Sequence, residues 1–70
     1  MIRKNISSSD ISSIGFEPQS QTLEIEFKSG GIFQYFEVSE NIYNTLVNSI
    51  SIGKYFNQYI KGQYNYKKLN

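Results

Sequence analysis

The sequence predicts a single α+β domain, a three-stranded antiparallel β-meander followed by two short α-helices. Three observations carry that expectation. Leu23, Ile25 and Phe27 alternate with Glu24, Glu26 and Lys28, a period of two that marks a strand with one buried and one wet face. Tandem glycines, Gly30-Gly31, then supply the conformational freedom of a tight hairpin turn. Further on, Ile42, Tyr43, Leu46, Val47 and Ile50 recur at helical spacing, and Ile52, Tyr55, Phe56, Tyr59 and Ile60 repeat the pattern, giving two apolar stripes.

Taken in order, residues 1–7 read as a loose N-terminal arm and residues 8–69 as one domain. Polar and apolar residues alternate loosely over 9–17, which predicts the first strand, and Pro18-Gln19-Ser20-Gln21 marks a turn. Residues 22–28 form the second strand. The third, 32–38 (Ile-Phe-Gln-Tyr-Phe-Glu-Val), is apolar on both faces and is expected centrally or beneath the helices. Ser39 is a good N-cap for the first helix and Ser51 for the second. Gly53 costs a helix about 1 kcal/mol against alanine, so it marks a close backbone approach or a loop. Gly62 is a C-terminal stop, and residues 63–70 form a basic aromatic tail.

At 70 residues the chain buries only about 60% of its unfolded surface. It has no cysteine for a disulfide or thiolate site and no histidine. Association of copies is the remaining way to support so small a core, and a homo-oligomer, dimer or tetramer, is expected. Met1-Ile2-Arg3-Lys4-Asn5 leads into serines and not into an apolar signal core, and no run of about 18 apolar residues is present, so the expected location is the cytoplasm.

Catalysis is not expected. No His or Cys is available to complete a nucleophilic triad. Glu24 and Glu26 share a strand face about 7 Å apart, a spacing at which carboxylates can cooperate, but that is also how any wet strand face looks. No Gly-rich phosphate loop with its lysine is present, and neither a metal nor a cofactor is expected.

Binding chemistry is easier to place. Residues 1–40 carry three basic against six acidic side chains, whereas residues 41–70 carry four lysines and no acid. Lys54, Gln58 and Lys61 fall at i, i+4 and i+7 on the second helix, with Asn57 beside them, opposite the apolar stripe. Ser51 and the amides around Gly53 offer donors at the helix start, where the dipole favours an anion. An ordinary cap and solvated lysines account for the same residues. Tyr64 and Tyr66, next to Lys67 and Lys68, suit base stacking with phosphate contacts; they suit equally the pinning of a C-terminal tail to the sheet.

The order of these pieces resembles the KTSC domain, a module named for its place at the C-terminus of some lysyl-tRNA synthetases. The resemblance runs from about Ser8 to Leu69. It rests on Ser8-Ser9-x-Ile11, Ile14-Gly15-Phe16, Leu23-x-Ile25-x-Phe27 and above all Ser51-x-Gly53-Lys54-Tyr55-Phe56-Asn57-x-x-Ile60-Lys61. It implies a non-enzymatic module with an RNA-binding role, found both as an appendage and free-standing, including in phages. The family's central Tyr-x-Tyr reads Phe33-Gln34-Tyr35 here, so the first phenol hydroxyl is lost, and Tyr35 stays in the candidate ligand set. Ser39 stands where the family usually has proline.

Near-neutral charge, +1 overall, favours a small anion over a long polymer. The reading placed first is a homo-oligomeric sponge that sequesters a small cyclic nucleotide signal, by analogy with phage proteins that blunt nucleotide-signalled immunity. A short RNA is the alternative ligand, and a protein-interaction adaptor is the reading with no small ligand.

Overall fold

The computed structural model describes residues 1–70. Five antiparallel strands form one sheet in sequence order: β1 (Lys4–Asn5), β2 (Ile11–Glu17), β3 (Thr22–Phe27), β4 (Ile32–Tyr35) and β5 (Tyr66–Lys68). Two helices, α1 (Glu40–Val47) and α2 (Ile52–Tyr55), connect β4 to β5 and pack on one face of the sheet. No helix is long and apolar enough to cross a membrane.

The α+β class stands, but the sheet has five strands and not the expected three. Both additional strands are short edges with exposed residues, so neither carries a hydrophobic period. In β1, inside the stretch read as a loose arm, Lys4 pairs with Ile14 and Asn5 with Ser13. The arm is held further by the Arg3 guanidinium, which donates to Glu24 at 2.7 Å. It lies directly on Gly15, where a Cβ would come within 2.9 Å of the Arg3 Cγ and 3.0 Å of the Ile2 carbonyl oxygen. In β5, Tyr66 pairs with Tyr35 and Lys68 with Phe33, so the basic tail is the last strand of the sheet.

The loose alternation of the first predicted strand has a cause. A bulge between Ile11 and Ser13 inserts an extra residue into β2, and Ile11 and Ile14 therefore both reach the core although they lie three apart. β3 follows its period: Leu23 and Ile25 are fully buried, while Glu24 and Glu26 face the other side. β4 ends at Tyr35, short of the expected Val38, because Glu37 adopts a left-handed conformation (φ 59°) and turns the chain. Val38 is then buried, its N–H donating to the Gln21 carbonyl at 2.9 Å.

Both expected caps form. The Ser39 hydroxyl accepts from the Ile42 N–H at 3.2 Å, and the Ser51 hydroxyl from the Lys54 N–H at 3.4 Å. α1 ends at Val47 with Asn48 as its cap, so Ile50 lies beyond the helix, fully exposed, and does not complete the apolar stripe. α2 runs for four residues and then widens into a π-helical turn, Phe56–Ile60, closed by the Lys61 N–H donating to the Phe56 carbonyl at 2.8 Å. Phe56 and Ile60 enter the core from that turn beside Leu46, and Tyr59 remains half exposed.

Candidate functional site

One basin of about 520 Å³ opens where β3, β4 and β5 meet the π-helical turn. Strand alternation builds its apolar walls. Phe27 on β3, Phe33 and Tyr35 on β4, and Tyr66 on β5 all project from the core face of the sheet, and Phe56 closes the basin from the turn. The rings are mutually supported. Phe56 meets Phe27 edge-on with centroids 5.3 Å apart and Tyr35 at 5.4 Å, while Phe33 and Tyr66 lie 5.8 Å apart at an open tilt. Such pairs contribute about 0.5–1.5 kcal/mol each beyond burial, which fixes the ring orientations before any ligand arrives. Lys68 holds its ammonium 5.9 Å from the Phe33 ring centroid, a cation–π contact.

The polar lining consists of Asp10, Asn57, Lys61 and the backbone at Gly62. Neither Asp10 nor Lys61 is engaged in an ion pair, since the molecule's salt bridges are those of Arg3 to Glu24 and Glu26. The Asp10 carboxylate also lies outside the molecule's internal hydrogen bonds; the residue's backbone N–H donates to the Ser8 hydroxyl at 3.3 Å. Burial, and secondarily the neighbouring Tyr66, pushes the Tyr35 phenol above its ordinary value near 10, so it enters the basin as a neutral hydroxyl.

The residues expected to bind a ligand divide among three places. Tyr35, Tyr66, Asn57 and Lys61 meet in the basin. Lys54 and Gln58 line a separate, shallow depression and share only Asn57 with it. The predicted line Lys54–Gln58–Lys61 assumed a continuous α-helix. The π-helical turn widens the path between Gln58 and Lys61 and sends Lys61 into the basin instead. Tyr64 is half buried against the core and borders a third hollow with Phe36 and Gln63.

Ser51 is occupied as the cap of α2, and Gly53 meets a carboxylate: the Asp10 Oδ2 lies 3.3 Å from where a Gly53 Cβ would stand. Gly53 lies within α2 and is approached closely by the Asp10 and Ser8 side chains, where a close backbone approach or a loop was expected. With four residues in α2 and an acid against it, that helix start offers an anion little.

Sequence reasoning did not place Asp10, Phe27, Phe33 and Phe56 in a site. Phe27 and Phe33 share the β3–β4 hairpin, but Asp10 and Phe56 are distant from it in the chain and join it only when the residues ahead of β2 and the π-helical turn fold onto the sheet; the one local signal was Asp10 as an acid just before an apolar strand. Glu24 and Glu26 lie on the opposite face of the sheet. There Glu24 accepts from Arg3 and from Gln34 (2.9 Å), and Glu26 from the Ser13 hydroxyl (3.0 Å), a satisfied structural network. No three side chains of metal-ligating type converge anywhere in the molecule.

A five-stranded antiparallel sheet with two short helices on one face and an aromatic basin at one end defines a compact class of α+β domain. The family model of the KTSC domain matches residues 7–64, and the chain belongs to that family. It superposes on the crystal structure of a KTSC domain protein from Yersinia pestis with a TM-score of 0.96 and 36% identity, covering 99% of this chain and 97% of that one. An uncharacterised protein of Stutzerimonas stutzeri is 37% identical over 71 residues, the full length of both chains. A lysine–tRNA ligase of Nostoc sp. is 46% identical over 55 residues, 79% of this chain; the match spans only 10% of the ligase.

Proposed function

We propose that this chain is a non-catalytic nucleotide-binding module whose basin takes a base among its aromatic walls while Lys61 meets the phosphate. One observation supports this above the rest. A single basin combines five aromatic side chains with an unpaired lysine and the Asn57 amide, the set that stacking and anion binding require. Lys68, over the ring of Phe33 that lines the basin, would add a second cation near a ligand's charge. The specific form put to test is capture of a cyclic dinucleotide by a homo-oligomer. A ligand with two bases and two phosphates has the symmetry of two copies, each supplying one basin.

RNA is the second reading, favoured by the similarity to part of the Nostoc lysine–tRNA ligase. The same basin would then receive an unpaired base of a single strand.

Native mass spectrometry against cyclic dinucleotides, ADP-ribose derivatives and a short single-stranded RNA decides between them. A fixed ligand-to-oligomer mass addition supports capture of a small nucleotide, and addition of RNA alone supports the second reading. If neither adds, a module that binds protein partners becomes the working account. Because Lys61 and Lys54 lie in different hollows, Lys61→Ala lowers affinity about ten-fold or more while Lys54→Ala stays within about two-fold. Equal losses in both variants would move the phosphate out of the basin.

A further inference from the structure

We infer that the basin selects guanine, with the Asp10 carboxylate reading the base. This rests on the nucleotide reading above and adds the identity of the base.

The basin is aromatic on most of its wall, so stacking by itself does not tell one flat ring from another, and discrimination falls to the few polar groups that line it. Asp10 is the one acid among them. An ionised carboxylate only accepts hydrogen bonds, and it presents two oxygens side by side. A base edge matches it when two donors stand next to each other. Guanine offers such a pair, its ring N1–H and its 2-amino group. Adenine and cytosine present an amino donor beside a ring acceptor, and uracil a single N–H between two carbonyls. Each of those three would bring a lone pair against one of the carboxylate oxygens.

The site leaves Asp10 free for this task. Its side chain makes no salt bridge, and the one cation on the same lining, Lys61, is also unpaired within the protein. Gly53 is what lets the carboxylate stand where it does, because a Cβ there would come within 3.3 Å of Oδ2. Acid and lysine in one basin also match the polarity of a guanosine phosphate, with donors at one end and anionic oxygens at the other.

The test is calorimetric titration of the protein with 5′-GMP, 5′-IMP and 5′-AMP. A uridine pentanucleotide with one central guanosine, against its all-uridine counterpart, tells a free nucleotide from a base in RNA. IMP is guanine's ring without the 2-amino group. GMP is expected to bind about ten-fold or more tighter than IMP and AMP, the usual effect of one lost hydrogen bond to a charged acceptor. Asp10→Asn should lower GMP affinity by a similar factor and abolish the preference over IMP, with an unchanged thermal melt because the side chain is exposed. Guanine preference in the oligonucleotide pair alone supports the inference with RNA as the source. Equal affinity for GMP, IMP and AMP, with no oligonucleotide preference, overturns guanine selection and leaves the nucleotide reading standing. Binding of none of the ligands overturns guanine reading by the single basin, and the cyclic dinucleotide panel above then decides the nucleotide reading by itself.

Discussion

Replacing Phe56 by leucine should weaken the domain by about 2–3 kcal/mol. Phe56 is 3% exposed and enters the core from the π-helical turn. Its ring meets Phe27 at 5.3 Å and Tyr35 at 5.4 Å, both edge-on. Leucine keeps most of the apolar volume, and a near-isosteric exchange costs below about 1.5 kcal/mol. It loses both ring contacts, each about 0.5–1.5 kcal/mol. Taking the middle of each range gives the stated loss. For a chain of 70 residues whose total stability is about 4–10 kcal/mol, this is a large fraction. In a domain of this size each kcal/mol moves the melting temperature by about 4–8 °C, so the midpoint should fall by about 10–20 °C. Thermal and urea unfolding followed by far-UV circular dichroism measure it. Phe56→Ala, at about 3–5 kcal/mol, should leave little folded protein at 37 °C. A leucine variant that melts within about 3 °C of the parent would show that the ring pairs do not hold the turn to the sheet, and would remove the aromatic scaffold argued for the basin.

Three further outcomes follow from the same geometry. The Tyr35 phenol titrates above its ordinary value because of burial and then Tyr66, so the folded state holds that proton more tightly than the unfolded chain. Its contribution is complete below about pH 10 and declines as pH rises further; Tyr35→Phe should therefore lose less stability than the parent between pH 8 and pH 10.5 in urea titrations. Gly53→Ala should gain up to about 0.5–1 kcal/mol in melting experiments, since only the tip of an exposed Asp10 must give way, and should weaken GMP binding if Asp10 is displaced from the basin. Arg3→Gln should cost about 1 kcal/mol at low salt, from loss of the ion pair to Glu24, and the gap to the parent should narrow in 1 M sodium chloride.

Much of the fold was legible because its signals are local. The alternation of Leu23 and Ile25, the hairpin at Gly30-Gly31 and the caps at Ser39 and Ser51 each need only a few neighbouring residues, and each appears where expected. The edge strands were not legible, because two residues of β1 and three of β5, all exposed, carry no apolar period. Their pairing depends on partners elsewhere, Ile14 for Lys4 and Phe33 for Lys68. The site divided along the same line. Lys61 and Tyr66 stood out as a lysine and a tyrosine in a basic stretch, but Asp10 belongs with them only after β2 and the π-helical turn are folded together. The turn itself cannot be read from apolar spacing, since Phe56 and Ile60 fit an ordinary helix equally well.

The strand order has a practical consequence for attachment. β1 and β5 are opposite edges of the sheet, four interstrand steps or about 19 Å apart, so the chain enters and leaves the domain on different flanks. The basin belongs to the flank of β5, where Tyr66 lines it and Lys68 stands over the Phe33 ring. A fusion joined ahead of Lys4 would therefore carry the domain by its far side with the mouth turned outward. A bulky tag placed after Asn70, whose side chain already accepts from the Ile32 N–H at 3.0 Å, would crowd the opening.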